Sequence, residues 1–316
     1  MSEATATTRT NTFDDKHSYP QPAPVLNIHS TCSTANDRLP AQVDEIKKPK
    51  TIVPFLKWAG GKRWLIQKRP DLFRVDFERY IEPFAGSSAV FFHLNPAAAI
   101  LSDKNKNLID TYRAIKTDNR KTFKQLKIHQ KNHSKDYYYK IRSTKFKTPH
   151  TIAAQFIYLN RTCWNGLYRV NMKNIFNVPK GTKDKVILDT DDFEATAKAL
   201  ENTTLLDGDF SVAISQAGQG DLLFVDPPYT VKHDKNGFLK YNEVLFSWED
   251  QIRLRDAVVG AKNRGAKIIL TNANHGSVRD LYEGHFNLET LDRASVLSGK
   301  KENRGPVKEL LIRWGK

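Results

Sequence analysis

Cysteine is scarce in this sequence: only Cys32 and Cys163 occur in 316 residues, far apart and in unlike contexts. Two such cysteines argue against a disulfide framework and against a cysteine-type zinc site, and they fit a reducing cytoplasm. The sequence also lacks an H-E-x-x-H motif and any carboxylate set spaced for a catalytic metal, and its nine histidines are scattered. We therefore expect no metal ion.

Long apolar runs are also missing, since no stretch approaches the roughly 20 residues that a bilayer-spanning helix needs. The first residues, 1–5, have neither a basic start nor an apolar stretch, so we expect no secretory signal and no membrane association. Residues 1–50 are rich in Ser, Thr, Asn, Asp and Pro and poor in large apolar residues. That composition predicts a disordered N-terminal extension.

Acidic residues are outnumbered, with 35 Asp and Glu against 50 Lys and Arg and a net charge of +15. Such an excess favours a polyanionic partner, most simply nucleic acid. Between Arg120 and His150 there are ten Lys or Arg and a single acid, Asp136, with three successive tyrosines at 137–139. This density fits a phosphate-binding surface, although solvated helix faces give similar counts.

The stretch 221–229, with the sequence DLLFVDPPY, organises the rest of the chain. Its apolar run ends at Asp226 and meets two prolines, which predicts a buried strand that stops at its carboxyl end. Open α/β sheets bind ligands at that edge. There the carboxylate of Asp226 and the carbonyl of Pro227 can accept hydrogen bonds from one exocyclic amino group, and Tyr229 offers a ring face for a planar base. The alternative is a simple turn cap.

This arrangement suits the amino group of adenine. The lone pair of N6 is delocalised into the ring, so the nitrogen is a poor nucleophile. Two acceptors that draw the amino group towards pyramidal geometry would localise the pair for attack, and no strong base is then required.

Two earlier segments have the composition of a nucleotide site. In 55–62, two glycines between Trp58 and Lys62 let the backbone pass close to a ligand, although the spacing differs from a P-loop and a structural turn is the alternative. Residues 79–92 predict a strand, a turn of small residues and an apolar helix. Asp103 follows the next apolar stretch, where an acid binds ribose hydroxyls or, alternatively, caps a helix at 105–115.

The remainder alternates between helical and strand patterns, which indicates an α/β fold with a doubly wound, mostly parallel sheet. We divide the ordered chain into a catalytic domain of residues 51–116 and 191–316 and an inserted, mainly helical module of residues 117–190. The predicted helices are 151–160, 193–200 and 248–260, and the predicted strands are 203–206, 221–226, 267–270 and a terminal pair at 286–291 and 309–314.

The segment 160–181 combines arginines, amides and aromatic residues around an Asn-Gly turn. These are the residue types that read base edges, contact phosphates and wedge into base stacks. An ordinary polar loop is the alternative for a protein without a nucleic-acid partner.

Taken in order, these motifs resemble the D12 class of adenine-specific DNA methyltransferases over about residues 52–316. The motifs that carry the resemblance are FLKWAGGK at 55–62, EPFAG at 82–86, LSDKN at 101–105, YLNR at 158–161, NGL at 165–167, FNVP at 176–179 and DPPY at 226–229.

The resemblance implies a Rossmann-like class I fold that transfers methyl from S-adenosyl-L-methionine to adenine N6 in duplex DNA, releasing S-adenosyl-L-homocysteine. The base must first be flipped out of the duplex. By the same comparison, the catalytic residues are Asp226, Pro227, Pro228 and Tyr229. The implied cofactor-binding residues are Trp58, Lys62, Glu82, Phe84, Gly86, Ser88, Asp103 and Asp226, with Ser88 standing where many relatives have glycine.

Trp164 matches an aromatic residue that wedges into the DNA stack, and Leu167, Arg169 and Pro179 match positions that contribute to recognising GATC in relatives. On these matches GATC is our hypothesis for the target sequence. Lys183 stands where relatives have an aromatic reader, which leaves a different reading of the outer base pair open. The implied DNA-binding residues are Arg161, Trp164, Asn165, Leu167, Arg169, Asn171, Asn177 and Pro179.

The predicted partner is double-stranded DNA, bound by a monomer, with any cognate restriction endonuclease acting separately. Asp226-Pro-Pro, rather than Asn-Pro-Pro, favours a DNA adenine substrate. Methylation of RNA adenine and a catalytically silent DNA-binding protein on the same fold remain the alternatives.

Overall fold

The computed structural model of the protein describes residues 51–166, 168–170, 175–232, 246–294 and 306–315. The predicted disorder of residues 1–50 concerns residues outside these ranges. None of the described helices combines the length and apolar character that a bilayer span requires. The helices are α1 (Arg63–Lys68), α2 (Ala89–Leu94), α3 (Lys106–Asn132), α4 (Lys135–Ser143), α5 (Pro149–Thr162), α6 (Phe193–Ala199), α7 (Phe210–Ile214), α8 (Trp248–Asn263) and α9 (Gly276–Tyr282).

The described strands are β1 (Arg79–Glu82), β2 (Ala99–Asp103), β3 (Thr203–Asp207), β4 (Asp221–Val225), β5 (Lys267–Ala273), β6 (Asn287–Ala294) and β7 (Pro306–Trp314). They form one sheet in the order β3-β2-β1-β4-β5-β7-β6. Neighbours from β3 to β5 run parallel, whereas β7 runs antiparallel to both β5 and β6.

Both faces of the sheet are covered, because side chains alternate along each strand. Leu222 and Phe224 of β4 face a core shared with α1, α2, α3 and α5, whereas Leu223 and Val225 face a core shared with α7, α8 and α9. All five residues of β4 are buried, as a central parallel strand requires. The predicted doubly wound, mostly parallel sheet is confirmed.

The predicted helix at 105–115 is too short, since α3 continues to Asn132. The backbone leaves the helical region once, at Asp118 (φ −155°, ψ 80°), so α3 is two helical segments joined at a kink. A boundary between catalytic domain and inserted module near residue 117 therefore falls beside this kink. The division into domains itself stays a prediction.

Candidate active site

The carboxyl ends of parallel strands meet at one edge of this sheet, and acidic residues gather there. Glu82 ends β1, Asp103 ends β2 and Asp226 follows β4 directly. The strand β4 stops at this point because Pro227 has no N–H to continue the ladder. Residues far apart in sequence thus converge on the crevice where open α/β sheets bind ligands.

Asp226 is held by two side chains. The Lys62 ammonium lies 2.7 Å from the Asp226 carboxylate and also donates to the carbonyl of Gly60 at 2.9 Å. The hydroxyl of Thr271, on β5, donates to Asp226 Oδ1 at 2.9 Å. Burial raises the pKa of Asp226, and the Lys62 ammonium opposes that rise. Asp226 keeps 18 % of its side chain exposed, whereas Lys62 keeps only 3 %, so it is the carboxylate that faces the crevice.

Tyr229 is fixed by a second carboxylate. Its hydroxyl donates to Glu309 Oε2 at 2.8 Å, and the Lys62 ammonium lies 5.2 Å from the centroid of its ring. Glu309, on β7, also forms an ion pair with Arg293 on β6. Burial raises the pKa of Tyr229 well above its ordinary value, with further contributions from Asp226 and Glu309, so the phenol stays protonated.

The loop between β1 and α2 is built around Asp103. The backbone N–H of Gly86 donates to Asp103 Oδ2 at 3.0 Å, and that of Asn105 donates to Oδ1 at 2.8 Å. The cap of α3 is Asn105, whose side chain accepts from Leu108 N, and not Asp103. The structure thus decides against the helix-cap alternative for Asp103, whose carboxylate instead ties this loop to the end of β2.

Positions 86 and 88 both need a left-handed backbone, with φ of +47° at Gly86 and +49° at Ser88. Glycine adopts this conformation without strain, whereas serine does not. Ser88 therefore takes a strained backbone conformation. A side chain at Gly86 would also collide with Trp58, since an added Cβ would lie 2.7 Å from Trp58 Cδ1.

Glu82 is a buried acid with spare hydrogen-bonding capacity. Its Oε2 makes no hydrogen bond of normal geometry within the described residues, although the Tyr80 hydroxyl is close enough to influence it. Burial raises the pKa of Glu82 well above its ordinary value. An unpaired carboxylate in such a place fits a ligand that brings a positive charge.

One cavity collects most of the predicted cofactor-binding residues. Trp58 borders it through the contact with Gly86, and Asp103 fixes the loop that forms its wall. The predicted residues that line the cavity directly are Lys62, Glu82, Phe84, Gly86, Ser88 and Asp226.

A larger cavity, of about 420 Å³, lies between α3 and the start of α6. Basic residues of α3 and acidic residues beside Phe193 line it together, and none of the predicted site residues does. Its size alone does not mark it as the site.

The described part of the predicted DNA-binding segment contains two β-bridges, Cys163 with Lys180 and Val170 with Phe176. Trp164 leaves 54 % of its surface exposed, the largest fraction among the described tryptophans. Asn165, Arg169, Asn177 and Pro179 are also exposed, whereas the predicted Leu167 and Asn171 lie outside the described residues.

Arg161, which the sequence predicts to contact DNA, is buried in the structure. Its side chain is 3 % exposed, and its guanidinium forms a bidentate ion pair with Asp191, with both distances 2.6 Å. The guanidinium also donates to the carbonyls of Phe55 and Val186. Arg161 therefore holds α5 against the segment that contains Phe55 and the segment before α6.

An aromatic cluster that sequence reasoning missed joins the segment around Trp58 to the loop that carries Trp164. The Trp58 and Tyr168 rings are nearly parallel, with their centroids 6.4 Å apart. The centroid of the Tyr168 ring lies 4.2 Å from that of Phe156 and 4.8 Å from that of Phe176. The two segments are also joined by Lys57, whose ammonium donates to the carbonyl of Asn165.

Sequence reasoning also missed Thr271, Arg293 and Glu309. Thr271 and Arg293 carry no local signal, since a threonine or arginine in a strand is ordinary. Glu309 did carry one, because it stands in the apolar pattern that predicts the last strand. A buried acid needs a partner, and the partners here are Tyr229, Arg293 and Lys62.

Comparison with known proteins identifies the family of the chain. The profile of the D12 class N6 adenine-specific DNA methyltransferases matches residues 58–296. A type II methyltransferase of Lactococcus lactis subsp. cremoris, M1.LlaDCHI, is 35 % identical over 82 % of this chain and 94 % of its own length. The M.MjaIII type II methyltransferase of Methanocaldococcus jannaschii is 34 % identical over 83 % and 98 %.

A DNA adenine methylase of Vibrio cholerae is 30 % identical over 81 % of this chain and 94 % of its own length. The resemblance seen in the motifs is thus confirmed over residues 58–296. The chain belongs to the D12 class of N6 adenine-specific DNA methyltransferases.

Proposed function

We propose that this DNA adenine methyltransferase takes its methyl group from S-adenosyl-L-methionine and delivers it to an adenine flipped out of duplex DNA into the crevice at Asp226. The observation that carries the proposal is the shared cavity. Asp226, at the end of β4, lines the same cavity as Lys62, Glu82 and the loop around Gly86. An acceptor for an amino group therefore adjoins a pocket with the donors and acceptors that a nucleoside cofactor requires.

The residues present fit this cofactor, which when bound supplies a methyl group on a positively charged sulfonium. The unpaired oxygen of Glu82 suits the ammonium of its methionine part. Each oxygen of Asp103 accepts one backbone N–H and keeps capacity for ribose hydroxyls. Trp58 and Phe84 supply apolar walls.

Asp226 and the carbonyl of Pro227 accept hydrogen bonds from the target amino group. Lys62 and Thr271 use part of the acceptor capacity of the Asp226 carboxylate, which offers about four lone-pair sites, so capacity remains for N6. The ring of Tyr229 stacks on the base. The proton that N6 releases after transfer has Asp226 as a nearby acceptor, and the raised pKa of that carboxyl suits the role.

Duplex DNA contacts the loop closed by the Cys163–Lys180 bridge. Trp164 is exposed and available to fill the space that the flipped base leaves. Exposed Arg169 suits bidentate contact with guanine, and exposed Pro179 suits a thymine methyl. We propose that a monomer acts on DNA, with any cognate restriction endonuclease acting separately.

The role of Asp226 is tested with Asp226→Ala and incorporation of labelled methyl into matched DNA and RNA duplexes. We expect labelling of DNA and not of RNA by the wild type, and a loss of roughly 10²-fold or more in the variant because the amino group loses one of its acceptors. DNA affinity should stay within a few-fold. Asp256→Ala, which removes a carboxylate that is 64 % exposed on α8, is the matched control and should remain active.

Survival of activity in Asp226→Ala would contradict the role of that carboxylate. Labelling of the RNA duplex in preference to DNA would contradict the proposed substrate.

We propose GATC as the target sequence. Plasmid DNA from cells that express the protein should resist a GATC-cleaving nuclease that is blocked by adenine methylation. DNA from cells expressing Asp226→Ala should be cut. Cleavage of both plasmids would exclude GATC, and mapping the methylated adenines would then give the true sequence.

A further inference from the structure

Glu309 is a buried acid that none of the roles above uses. It lies on β7, opposite Ala273 of β5 and Leu291 of β6, and is 1 % exposed. A carboxylate at such a position costs free energy unless charged and hydrogen-bonding groups compensate it. The identity of those groups indicates what the residue does.

Two of the partners of Glu309 belong to the proposed site. Its Oε2 accepts from the Tyr229 hydroxyl at 2.8 Å and lies 3.8 Å from the Lys62 ammonium. Its Oε1 pairs with Arg293. The Lys62 ammonium thus lies between two carboxylates, at 2.7 Å from Asp226 and 3.8 Å from Glu309.

We propose that Glu309 is a positioning residue for methyl transfer. It anchors Tyr229 and attracts the Lys62 ammonium in competition with Asp226, so that Asp226 keeps acceptor capacity for the target amino group. This inference rests on the proposed function of Asp226 and Tyr229. Glu309 itself touches none of the reacting atoms: it acts through Lys62 and Tyr229 and through the effect of its charge on Asp226.

Neutralising Glu309 has two consequences. The Lys62 charge is then attracted by Asp226 alone and competes with the incoming amino group, so transfer slows. The pKa of Asp226, raised by burial and further by Glu309, falls when that charge is removed. Because Asp226 must be ionised to accept, the acid limb of the rate profile then moves to lower pH. The titratable groups that face Asp226 are Lys62, Tyr80, Glu82, Tyr229 and Glu309.

The direction of the shift separates positioning from loss of stability. A variant that is merely less stable unfolds sooner in acid, so its acid limb moves to higher pH. The opposite movement is expected for Glu309→Gln, which keeps the size of the side chain and its ability to accept from Tyr229.

The experiment is the pH profile of single-turnover methyl transfer by Glu309→Gln, with the dissociation constant of S-adenosyl-L-methionine measured beside it. We expect a roughly tenfold lower rate at neutral pH, the size expected when one contact of a charged group is lost. The acid limb should move to lower pH, and the dissociation constant should stay within about twofold. In a Lys62→Met background the same substitution should slow transfer little further at neutral pH, because glutamine keeps the contact with Tyr229 and the remaining effect of Glu309 on the rate runs through Lys62.

Glu289→Gln is the matched control. Glu289 lies on β6, the strand that pairs with β7, and forms ion pairs with Arg69 and Arg313. The substitution thus removes a carboxylate that has arginine partners but does not contact Lys62. It should leave the rate and the acid limb unchanged.

An unchanged rate and acid limb in Glu309→Gln would overturn the inference, as would an acid limb that moves to higher pH. If Glu309→Gln does not fold, Arg293→Met decides the question. Without Arg293, Glu309 attracts Lys62 more strongly, so the acid limb should move to higher pH. The melting temperature should fall too little to explain that shift. An acid limb that does not move would overturn the inference. The activity of Asp226→Ala tests the proposed function separately, since it does not depend on Glu309.

Discussion

Glu82 is an acidic residue whose burial disfavours the ionised form of its side chain. It is a carboxyl group at the end of β1, 3 % exposed, with one oxygen unpaired within the described part of the chain. Burial raises its pKa well above the ordinary value. Such a group makes the empty fold less stable and is retained where a bound ligand supplies the missing charge.

Replacing Glu82 with glutamine should therefore stabilise the protein and weaken the cofactor site. A carboxyl whose pKa is raised in the fold binds its proton more tightly there than in the unfolded chain. The wild type consequently loses stability as pH rises above the ordinary pKa, and Glu82→Gln avoids that loss. In thermal unfolding, the variant should melt a few degrees higher than the wild type at mildly alkaline pH, with a smaller difference in acid.

The control for this prediction is Glu283→Gln, an exposed glutamate at the end of α9, which should leave the melting temperature unchanged. A wild type that is more stable than Glu82→Gln at alkaline pH would contradict the prediction. Cofactor affinity of Glu82→Gln, measured in parallel, should fall.

At the scale of one element, the loop between β1 and α2 shows how a turn is shaped for close approach. Ala85 N donates to Ser102 O, Gly86 N donates to Asp103, and the Tyr112 hydroxyl donates to Gly86 O. These bonds fix a backbone that takes left-handed conformations at two positions. The loop is therefore held rigid before any ligand arrives.

Gly86→Ala should lower cofactor affinity by about tenfold, because the new Cβ meets Trp58 and the backbone conformation is strained. Titration of S-adenosyl-L-methionine by calorimetry measures the effect. Gly284→Ala is the matched control. Gly284 has a φ of +75° but nothing within 4 Å of an added Cβ, so that variant should lose some stability and keep its cofactor affinity. Equal affinities of the two variants would contradict the explanation.

The loop that carries Trp164 allows a second prediction at this scale. Trp164→Ala should weaken duplex binding by about 1–3 kcal/mol, the size found for stacking of a base on an aromatic side chain. Fluorescence anisotropy with a labelled duplex measures the loss. Trp314→Ala removes the other highly exposed tryptophan, at the end of β7, and should leave DNA affinity unchanged. Equal DNA affinities of the two variants would show that Trp164 does not contact DNA.

At the scale of the whole molecule, the topology of the sheet agrees with the family to which the chain belongs. A doubly wound sheet that is parallel except for β7, in a chain of the D12 class, confirms the class I methyltransferase fold predicted from the motifs. The aromatic contact of Trp58 with Tyr168 joins the segment beside the sheet edge to the loop that carries Trp164.

The net charge of +15 predicts a strong dependence of DNA binding on salt. Neutralising phosphates releases condensed counterions, so the association constant for duplex DNA should fall roughly tenfold or more between about 50 and about 200 mM salt. A binding titration at several salt concentrations measures the slope. An affinity that does not change with salt would mean that phosphate contacts contribute little.

The sequence by itself determined the elements and the site residues that have a local signature. The DPPY tetrad predicts where β4 ends, because proline cannot continue a ladder, and alternating helix and strand patterns predict the parallel sheet. The same local information misjudged α3, which continues past residue 115, because packing on α5 extends a helix that the pattern alone would end.

The tertiary structure decided what each charged side chain does. Arg161 and Arg169 stand in the same stretch of arginines and amides, yet one is buried against Asp191 and the other is exposed. Glu309 and Lys62 are 247 residues apart and meet beside Asp226. Periodicity fixes whether a position is inside or outside, but a charge acquires its role from partners that only the folded chain brings within a few ångströms.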